Sequence, residues 1–202
     1  MRLLLARHGE TGEQYAGRYV GATDLPLSGL GRDQARRLAD VLPGRGGRCL
    51  CSPMRRAQET ATLALAGRDY PLAMVDALRE IDFGRWEGLS FAEIADLDQD
   101  LVDQWRHKPE SFRFPGGECI ADFRQRVLEV THWITTLPDE EVLVICHGGV
   151  IRVMLCSLLG LSFDRYLSFA IVPAALTTIE MDGQYGVLTG LNLTAGTQGG
   201  QR

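Results

Sequence analysis

The sequence predicts an α/β fold, in the form of a three-layer α/β/α sandwich with a mostly parallel central sheet. Short apolar runs alternate with stretches of helical periodicity along the chain, a pattern typical of βα units. The apolar runs are continuous rather than alternating with polar residues, as expected for strands buried on both faces. The length of 202 residues fits one domain.

The first half of the chain contains three predicted strands and two predicted helices. In chain order these are a strand at 3–6, a helix at 30–42, a strand at 49–51, a helix at 52–65 and a strand at 72–75. Ser28 is the expected N-cap of the first helix. Ser52, followed by Pro53 in the first turn, is the expected N-cap of the second.

The second half contains a loop-rich segment followed by a regular region. Glycine and proline dominate residues 80–117, where Ser90 and Glu93 predict one short capped helix at 90–97. The later elements are a helix at 121–137, a strand at 142–146, a helix up to 159, and strands at 177–181 and 187–191. We expect one domain at 1–193, an excursion around 81–120 over the functional site, and a disordered tail at 194–202.

Charge and cysteine usage restrict the possible partners. The net charge of −5 argues against nucleic acid or an anionic membrane as a partner, because both require a basic face. No stretch approaches the ~20 apolar residues of a membrane span. The five scattered cysteines are typical of a reduced, cytoplasmic protein without disulfides. A small anionic metabolite is compatible with this composition, and either a monomer or a homodimer is expected.

Three polar clusters follow predicted strands or open the helices after them. They are Arg-His-Gly at 7–9, a serine- and arginine-containing stretch at 52–56, and His-Gly-Gly at 147–149. The carboxyl ends of parallel strands share one sheet edge, so these clusters are expected to converge there. Two imidazoles and several guanidinium groups suit phosphoryl transfer, in which negative charge spreads over three oxygens that arginine can bind in pairs.

Five ordered segments resemble the histidine phosphatase superfamily, also called phosphoglycerate mutase-like. They include Arg-His-Gly-Glu-Thr, Leu-Ser-Gly-Leu-Gly, Ser-Pro-Met-Arg-Arg-Ala-Gln-Glu-Thr-Ala, Glu-Ile-Asp-Phe-Gly-Arg-Trp-Glu-Gly and His-Gly-Gly-Val-Ile-Arg. They lie within residues 3–152 in the order found in that family. The resemblance implies the phosphoglycerate mutase-like fold.

The resemblance also implies roles for individual residues. His8 would be the nucleophile, and Glu80 would protonate the leaving oxygen and later activate water. The phosphoryl oxygens would be held by Arg7, Arg56 and His147. Four further positions would line the substrate pocket or allow the backbone to approach the phosphate: Gln14, Arg18, Gly21 and Gly148. Gln14 departs from the asparagine that the family usually has there. No metal and no cofactor are implied.

The implied activity is hydrolysis of a small phosphomonoester through a phosphohistidine, in the class of metal-independent phosphoric monoester hydrolases. Details of the motifs are closest to the bacterial α-ribazole phosphatase branch, which acts in cobalamin biosynthesis, so α-ribazole 5′-phosphate is the candidate substrate. A phosphoglycerate mutase and a broad-specificity sugar phosphatase remain alternatives. A non-catalytic phosphate-binding module is an alternative of another class, since fold alone does not fix function.

Cys146 is a second candidate nucleophile. The stretch from Cys146 to Arg152 fits Cys-x-x-Gly-x-x-Arg, the phosphate loop of cysteine-dependent phosphatases. That interpretation leaves His8 and Glu80 without roles, so we favour Cys146 as a core residue at the end of a strand. Arg152 is then expected to be a solvated or salt-bridged residue of the helix rather than a phosphate ligand. Three other side chains are expected to have no direct role: Arg55, His107 and His132. Trp86 and Trp105 are expected to anchor the excursion to the body, and stacking on a heterocyclic leaving group is the alternative.

Overall fold

A six-stranded sheet forms the centre of the protein in a computed structural model that describes residues 1–44, 47–183 and 185–196. The strands are β1 (Arg2–Arg7), β2 (Arg48–Cys51), β3 (Leu72–Met74), β4 (Glu141–Cys146), β5 (Leu176–Asp182) and β6 (Tyr185–Leu193). The helices are α1 (Gly29–Leu38), α2 (Arg55–Ala64), α3 (Phe91–His107), α4 (Ile120–Thr135) and α5 (Gly148–Leu158). The predicted α/β class is confirmed.

The sheet order β3-β2-β4-β1-β5-β6 places the three strands that precede polar clusters side by side. β4 lies between β2 and β1 and pairs with both in parallel, so that Ile145 lies opposite Cys51 and Cys146 lies opposite Arg7. β5 runs antiparallel to both β1 and β6. The carboxyl ends of β1, β2 and β4 therefore meet at one edge.

Both faces of the sheet are covered by helices, which explains the continuous apolar runs. Leu3 and Leu5 of β1 pack on the face that is covered by α4 and α5. Leu4 and Ala6 pack on the opposite face, which is covered by α1 and α2. Because successive side chains of a strand point to opposite faces, a strand between two helical layers must be apolar at every position. This arrangement gives the predicted three layers.

The predicted caps are right for one of the first two helices. Ser28 caps α1, and its Oγ accepts a hydrogen bond from the Gly31 N–H. The prediction that Ser52 caps α2 is wrong, because α2 begins later and its N-cap residue is Met54. The carboxylate of Asp24, in a distant loop, accepts the Arg55 N–H at 2.7 Å. The start of α2 is thus stabilised by a side chain from a distant loop, and the hydrogen of the Ser52 hydroxyl is available to another partner.

The segment between β3 and α4 is more helical than predicted. Its helix starts with the expected capping box of Ser90 and Glu93 but continues to His107. The predicted end at residue 97 falls just before Asp98, whose backbone is non-helical and marks a kink. The Asp98 carboxylate accepts hydrogen bonds from Trp86 Nε1 and Arg85. These bonds hold the kink, and the helix resumes beyond it.

Trp86 anchors this segment to the body, as expected. Its ring is fully buried and stacks at 5.5 Å on Phe112, and Trp105 lies 5.8 Å away. His107 and His132 are exposed, also as expected. In the part of the chain that the structure describes, no helix is both long and apolar enough to cross a membrane. Of the predicted tail, residues 197–202 lie outside the described residues.

Candidate active site

Two buried imidazoles lie together at the carboxyl edge of the sheet. His8 follows β1 and His147 follows β4, and their ring centroids are 5.1 Å apart at an angle of 60°. The backbone continues the strand pairing beyond the two strands, since His8 N donates to Cys146 O at 3.0 Å. His8 is 8% exposed and His147 is fully buried. The sheet register therefore brings two residues 139 positions apart into one site.

Arg56 lies between the two imidazoles. Its Nε is 3.2 Å from His8 Nε2 and 3.3 Å from His147 Nδ1. The other two nitrogens of the guanidinium donate to backbone carbonyls, at 2.8 Å to Thr23 and 2.7 Å to Gly21. The side chain is fully buried, although it is charged. A cation fixed in this way is preorganised to bind an anion between the rings.

The hydrogen bonds of the ring nitrogens indicate the tautomer of His8. Its Nδ1 lies 2.7 Å from the carbonyl oxygen of Gly9, which can only accept, so Nδ1 carries the proton. The lone pair is then on Nε2, the nitrogen that faces Arg56 and His147. Gly9 is itself held by its N–H, which donates to Thr60 Oγ1 at 3.0 Å. This geometry is that of a nucleophilic nitrogen directed into the site.

Burial and nearby cations keep both imidazoles neutral. Burial lowers the pKa of His8 well below its usual value, and the charges of Arg7 and Arg56 lower it further. Burial likewise lowers the pKa of His147, helped by His8 and the same arginines. An unprotonated nitrogen is therefore available at neutral pH.

Arg7 contributes a second, partly buried cation to the site. Its NH1 donates to Ile171 O at 2.7 Å, whereas its buried Nε has no partner among the described residues. Gly148, the first residue of α5, is so near that an added Cβ would lie 3.6 Å from this Nε. A buried donor without an acceptor is costly, and an anion at the positive end of α5 would satisfy it.

Glu80 lies at the border between the histidine pair and a neighbouring pocket. Its Oε2 accepts the Gly149 N–H at 2.9 Å, and its Oε1 accepts the Ile81 N–H at 3.1 Å. The pocket has a volume of about 310 Å³, and Glu80, Gly149 and Arg152 are among the residues that line it. The carboxylate is thus held by backbone amides at the mouth of a cavity large enough for a leaving group.

The predicted substrate-binding positions beyond Gly148 lie in loops with other partners. Gln14 is exposed in a short 3-10 helix at Glu13–Tyr15. Arg18 forms an ion pair of 2.6 Å with Glu93 and donates to Gly88 O. Gly21 lies so close to the backbone of Ile81 that a side chain would not fit, and its carbonyl holds Arg56. In this structure Arg18 and Gly21 therefore connect loops around the site.

The Glu87 carboxylate organises the loop that holds Arg56. It accepts hydrogen bonds from the backbone N–H groups of Gly21, Ala22 and Thr23, and from the N–H of Phe83. One carboxylate thereby fixes both carbonyl groups that bind the Arg56 guanidinium. Glu87 was not predicted to have this role, although it lies within the Arg-Trp-Glu-Gly motif.

Cys146 and Arg152 do not form a cysteine-dependent phosphate loop. The Cys146 thiol is fully buried at the end of β4, and burial raises its pKa well above the usual value, which disfavours the thiolate. Arg152 donates from Nε to Phe169 O at 2.8 Å. Arg152 lines the pocket beside Glu80. Its spacing of four residues after Gly148, which places both on one face of α5, was the available signal.

Ser52, predicted to cap a helix, contacts the second imidazole instead. Its Oγ lies 2.8 Å from His147 Nε2 and accepts the Met54 N–H at 3.3 Å. Ser52 is fully buried. Its position directly after β2 was the signal, because that edge of the sheet was predicted to carry the site.

Side chains suited to a metal are not clustered here. Among the residues that the structure describes, no group of three or more histidine, cysteine, aspartate or glutamate side chains is placed to hold a metal ion. The positive charges beside the histidine pair are the guanidinium groups of Arg7 and Arg56.

Comparison with known proteins identifies the family. Residues 3–194 match the family described as histidine phosphatase superfamily (branch 1). Adenosylcobalamin/alpha-ribazole phosphatase of Escherichia coli is 30% identical over 200 residues, covering 96% of this chain and 97% of that protein. Phosphoserine phosphatase 1 of Hydrogenobacter thermophilus is 30% identical over 201 residues, covering 96% of this chain and 93% of that protein.

A solved structure agrees in fold over nearly the whole chain. The crystal structure of a putative alpha-ribazole-5'-P phosphatase from Escherichia coli superposes with a TM-score of 0.88 at 30% identity, covering 96% of each chain. The chain belongs to the histidine phosphatase superfamily. These relationships support a phosphatase, in the class of phosphoric monoester hydrolases, as the sequence predicted.

Proposed function

We propose that this protein hydrolyses a small phosphomonoester in two in-line steps through a phosphohistidine on His8. The observation that carries the proposal is the position of the Arg56 Nε, within 3.3 Å of both His8 Nε2 and His147 Nδ1. A phosphoryl group bound there would meet a neutral nucleophile on one side. Arg7, Arg56, His147 and the backbone at Gly148 would bind its oxygens.

Both chemical steps need a group that gives or takes a proton, and Glu80 is that group. In the first step His8 Nε2 attacks phosphorus, the ester P–O bond breaks, and Glu80 gives its proton to the leaving oxygen. In the second step Glu80 takes a proton from water, the water oxygen attacks phosphorus, and the P–N bond to His8 breaks. Free phosphate leaves, and the enzyme returns to its starting state.

The candidate substrate is α-ribazole 5′-phosphate, in agreement with the activity named for the Escherichia coli relative. We further propose that residues 1–193 act as one domain in the cytoplasm, with the segment 81–120 over the site. Four of the five free cysteines are buried, which suits a reducing compartment. Gln14 and Arg18 are proposed to contact substrate from the loop that follows His8.

Trapping the intermediate tests this proposal. Enzyme mixed with a ³²P-labelled phosphomonoester in EDTA and quenched is expected to retain label that is acid-labile and alkali-stable, as for a phosphohistidine. His8→Ala should abolish both label and turnover, whereas Cys146→Ser should keep both, and orthovanadate should inhibit. Label lost in Cys146→Ser but kept in His8→Ala would refute the proposal. Phosphate binding without turnover on any ester would favour the non-catalytic module.

A further inference from the structure

Glu80 lies in a segment that no regular secondary structure holds in place. Residues 79–83 lie between two short 3-10 helices and belong to neither a helix nor a strand. His8 and His147 differ in this respect, because each directly follows a strand of the central sheet. The position of the Glu80 carboxylate beside Gly149 therefore depends on side chains that bind this stretch of backbone.

Arg126, on α4, donates hydrogen bonds to three backbone carbonyl groups of this region. Its NH1 lies 2.9 Å from the oxygen of Ala77 and 2.8 Å from that of Arg79, and its NH2 lies 3.2 Å from that of Glu80. Several carbonyl groups can share one guanidinium because its donors project in fixed directions from a planar group. Arg126 thereby holds the backbone at Glu80 and immediately before it.

Glu118 binds Arg126 and also the backbone that follows Glu80. Its two carboxylate oxygens accept hydrogen bonds from Nε and NH2 of Arg126 at 2.7 and 3.0 Å, which makes the ion pair bidentate. Oε2 also accepts the Asp82 N–H at 3.3 Å, and the Glu118 N–H donates to the Asp82 carbonyl at 2.9 Å. Together the two side chains hold the backbone on both sides of Glu80.

The Pro-Gly-Gly turn before Glu118 brings that carboxylate into place. The carbonyl oxygen of Pro115 accepts the Arg85 N–H at 2.8 Å. Gly117 lies so close to the carbonyl oxygen of Asp82 that a side chain would not fit. The turn therefore packs directly on the backbone that Glu118 contacts, which accounts for a glycine at this point of the chain.

The ion pair is shielded from water over most of its surface. The side chains of Arg126 and Glu118 are 23% and 20% exposed, and the guanidinium carbon lies 4.8 Å from the centre of the Phe123 ring. A bidentate pair with little exposure keeps its geometry better than a surface pair, because solvent screens it less. The pocket beside Glu80 is lined by other residues, so the pair reaches the leaving group only through Glu80.

We propose that Arg126 and Glu118 are positioning residues for the proton transfer by Glu80. This inference rests on the proposed phosphatase function and adds two residues that lie outside the substrate pocket. By holding the backbone at 77–82, the pair keeps the Glu80 carboxyl at the leaving oxygen, where a displacement of about 1 Å lowers the rate about a hundredfold. Loss of either partner therefore impairs protonation of the leaving oxygen more than it impairs the attack by His8.

Two esters that differ in their need for a proton test this role in Arg126→Met. The value of kcat/KM reports the first chemical step, in which the leaving oxygen of glycerol 3-phosphate needs a proton and that of 4-nitrophenyl phosphate does not. We expect kcat/KM to fall by about ten- to a hundredfold for glycerol 3-phosphate and by less than about threefold for 4-nitrophenyl phosphate. Equal losses for both esters, or no loss for either, would overturn the inference.

A milder variant and a matched control guard against a general weakening of the fold. Glu118→Gln keeps an acceptor but loses the charge, so kcat/KM for glycerol 3-phosphate should fall by about three- to tenfold, with little change for 4-nitrophenyl phosphate. Arg48 pairs with Asp139 at 3.0 Å at the opposite end of the sheet, so Arg48→Met should leave the ratio of the two kcat/KM values unchanged. The same change of ratio in Arg48→Met would refute the assigned role.

A double variant shows whether Arg126 acts through Glu80. Once Glu80→Gln has removed the transferable proton, Arg126→Met has no proton transfer left to disturb. The kcat/KM of Glu80→Gln/Arg126→Met for glycerol 3-phosphate should therefore lie within about threefold of that of Glu80→Gln alone. Losses that multiply in the double variant would contradict the inference, because the two residues would then act independently.

Amide exchange separates this inference from the proposed catalysis. The Glu80 carboxylate accepts the N–H groups of Ile81 and Gly149, so both amides should exchange at least about threefold faster in Arg126→Met, but not in Arg48→Met. NMR follows the two amides without any substrate. Unchanged exchange refutes the inference even if esters are turned over, whereas faster exchange without hydrolysis of any ester refutes only the proposed function.

Discussion

Ser52 Oγ lies 2.8 Å from His147 Nε2, and this contact fixes the second imidazole of the site. The hydroxyl also accepts the Met54 N–H, so the imidazole is tied to the backbone just before α2. On its other side the ring presents Nδ1 to the Nε–H of Arg56 at 3.3 Å. The ring is thus held by one contact at each nitrogen, which fixes its orientation beside His8.

Ser52→Ala is expected to lower kcat by about five- to a hundredfold with little change in KM. The substitution leaves His147 Nε2 and the Met54 N–H without their buried partner, at about 1–3 kcal/mol for each group. Steady-state kinetics gives the kcat and KM values, and ¹⁵N NMR of the imidazole reports the tautomer of His147. Ser157→Ala, at an exposed position of α5, is the control. Unchanged kcat with an unchanged tautomer would refute the role.

Arg56 and its neighbour Arg55 offer a matched pair for testing the guanidinium geometry. In Arg56→Lys one ammonium replaces a fork that contacts two imidazoles and two carbonyl groups, so we expect kcat/KM to fall by about 10²–10³. Arg55 is exposed and pairs with Glu59, so Arg55→Lys should be silent. Retention of activity in Arg56→Lys within a few-fold of wild type would contradict this role.

The same substitution should also weaken the fold. Without the fork, the carbonyl oxygens of Gly21 and Thr23 lose their donors, which costs about 1–3 kcal/mol for the buried Gly21 carbonyl and less for that of the exposed Thr23. Urea denaturation of Arg56→Lys and Arg55→Lys measures the difference in the free energy of unfolding. If both variants unfold at the same urea concentration, the two carbonyl bonds contribute nothing to stability.

Sheet topology explains why most of the site could be predicted. Each cluster follows a continuous apolar run, and the rule that parallel strands end at one edge brings His8 and His147 together without knowledge of the register. The same rule placed Ser52 at the site. Because Ser52 precedes Pro53, a pattern common at helix starts, Ser52 was predicted to cap a helix rather than to contact His147.

Other contacts could not be read from sequence because they join loops far apart in the chain. The Glu87 carboxylate binds the loop at 21–23, and Asp24 caps a helix 31 residues away. Neither contact follows from the spacing of residues within a helix or a strand, so no sequence pattern predicts it. Arg152 lies on the face of α5 that borders the site, but its orientation depends on a hydrogen bond to the carbonyl of Phe169. The order of helices and strands along the sequence does not predict that hydrogen bond.

Glu80→Gln tests whether Glu80 protonates the leaving oxygen, by comparing esters whose leaving groups differ in their need for a proton. The amide oxygen can still accept one of the two hydrogen bonds, from Gly149 or from Ile81, but the side chain cannot deliver a proton, so hydrolysis of an alkyl phosphate should fall by about 10²–10⁴. Hydrolysis of 4-nitrophenyl phosphate should fall much less, because its leaving oxygen is stable as an anion. Glu129→Gln, on the exposed face of α4, is the control. An equal loss on both esters would exclude Glu80 as the acid.

The two buried imidazoles predict a loss of stability in mild acid. Burial, together with Arg7 and Arg56 around His8 and with Arg126 also near His147, lowers the pKa of both rings in the folded state. Below pH ~6.5, where unfolded histidine takes up a proton, the unfolded chain binds more protons than the native one, so the free energy of unfolding falls as pH falls. The slope is at most about 1.4 kcal/mol per pH unit for each ring.

Urea denaturation at several pH values between 7.5 and 5 measures this slope. Phosphate must be left out of the buffers, because an anion bound between the rings would favour their protonation and oppose the effect. In the double variant His8→Gln/His147→Gln the slope over this range should disappear, whereas His132→Gln, at an exposed position, should retain it. If the double variant and the wild-type protein lose stability equally, other groups carry the acid sensitivity and the imidazoles are not held neutral by their burial.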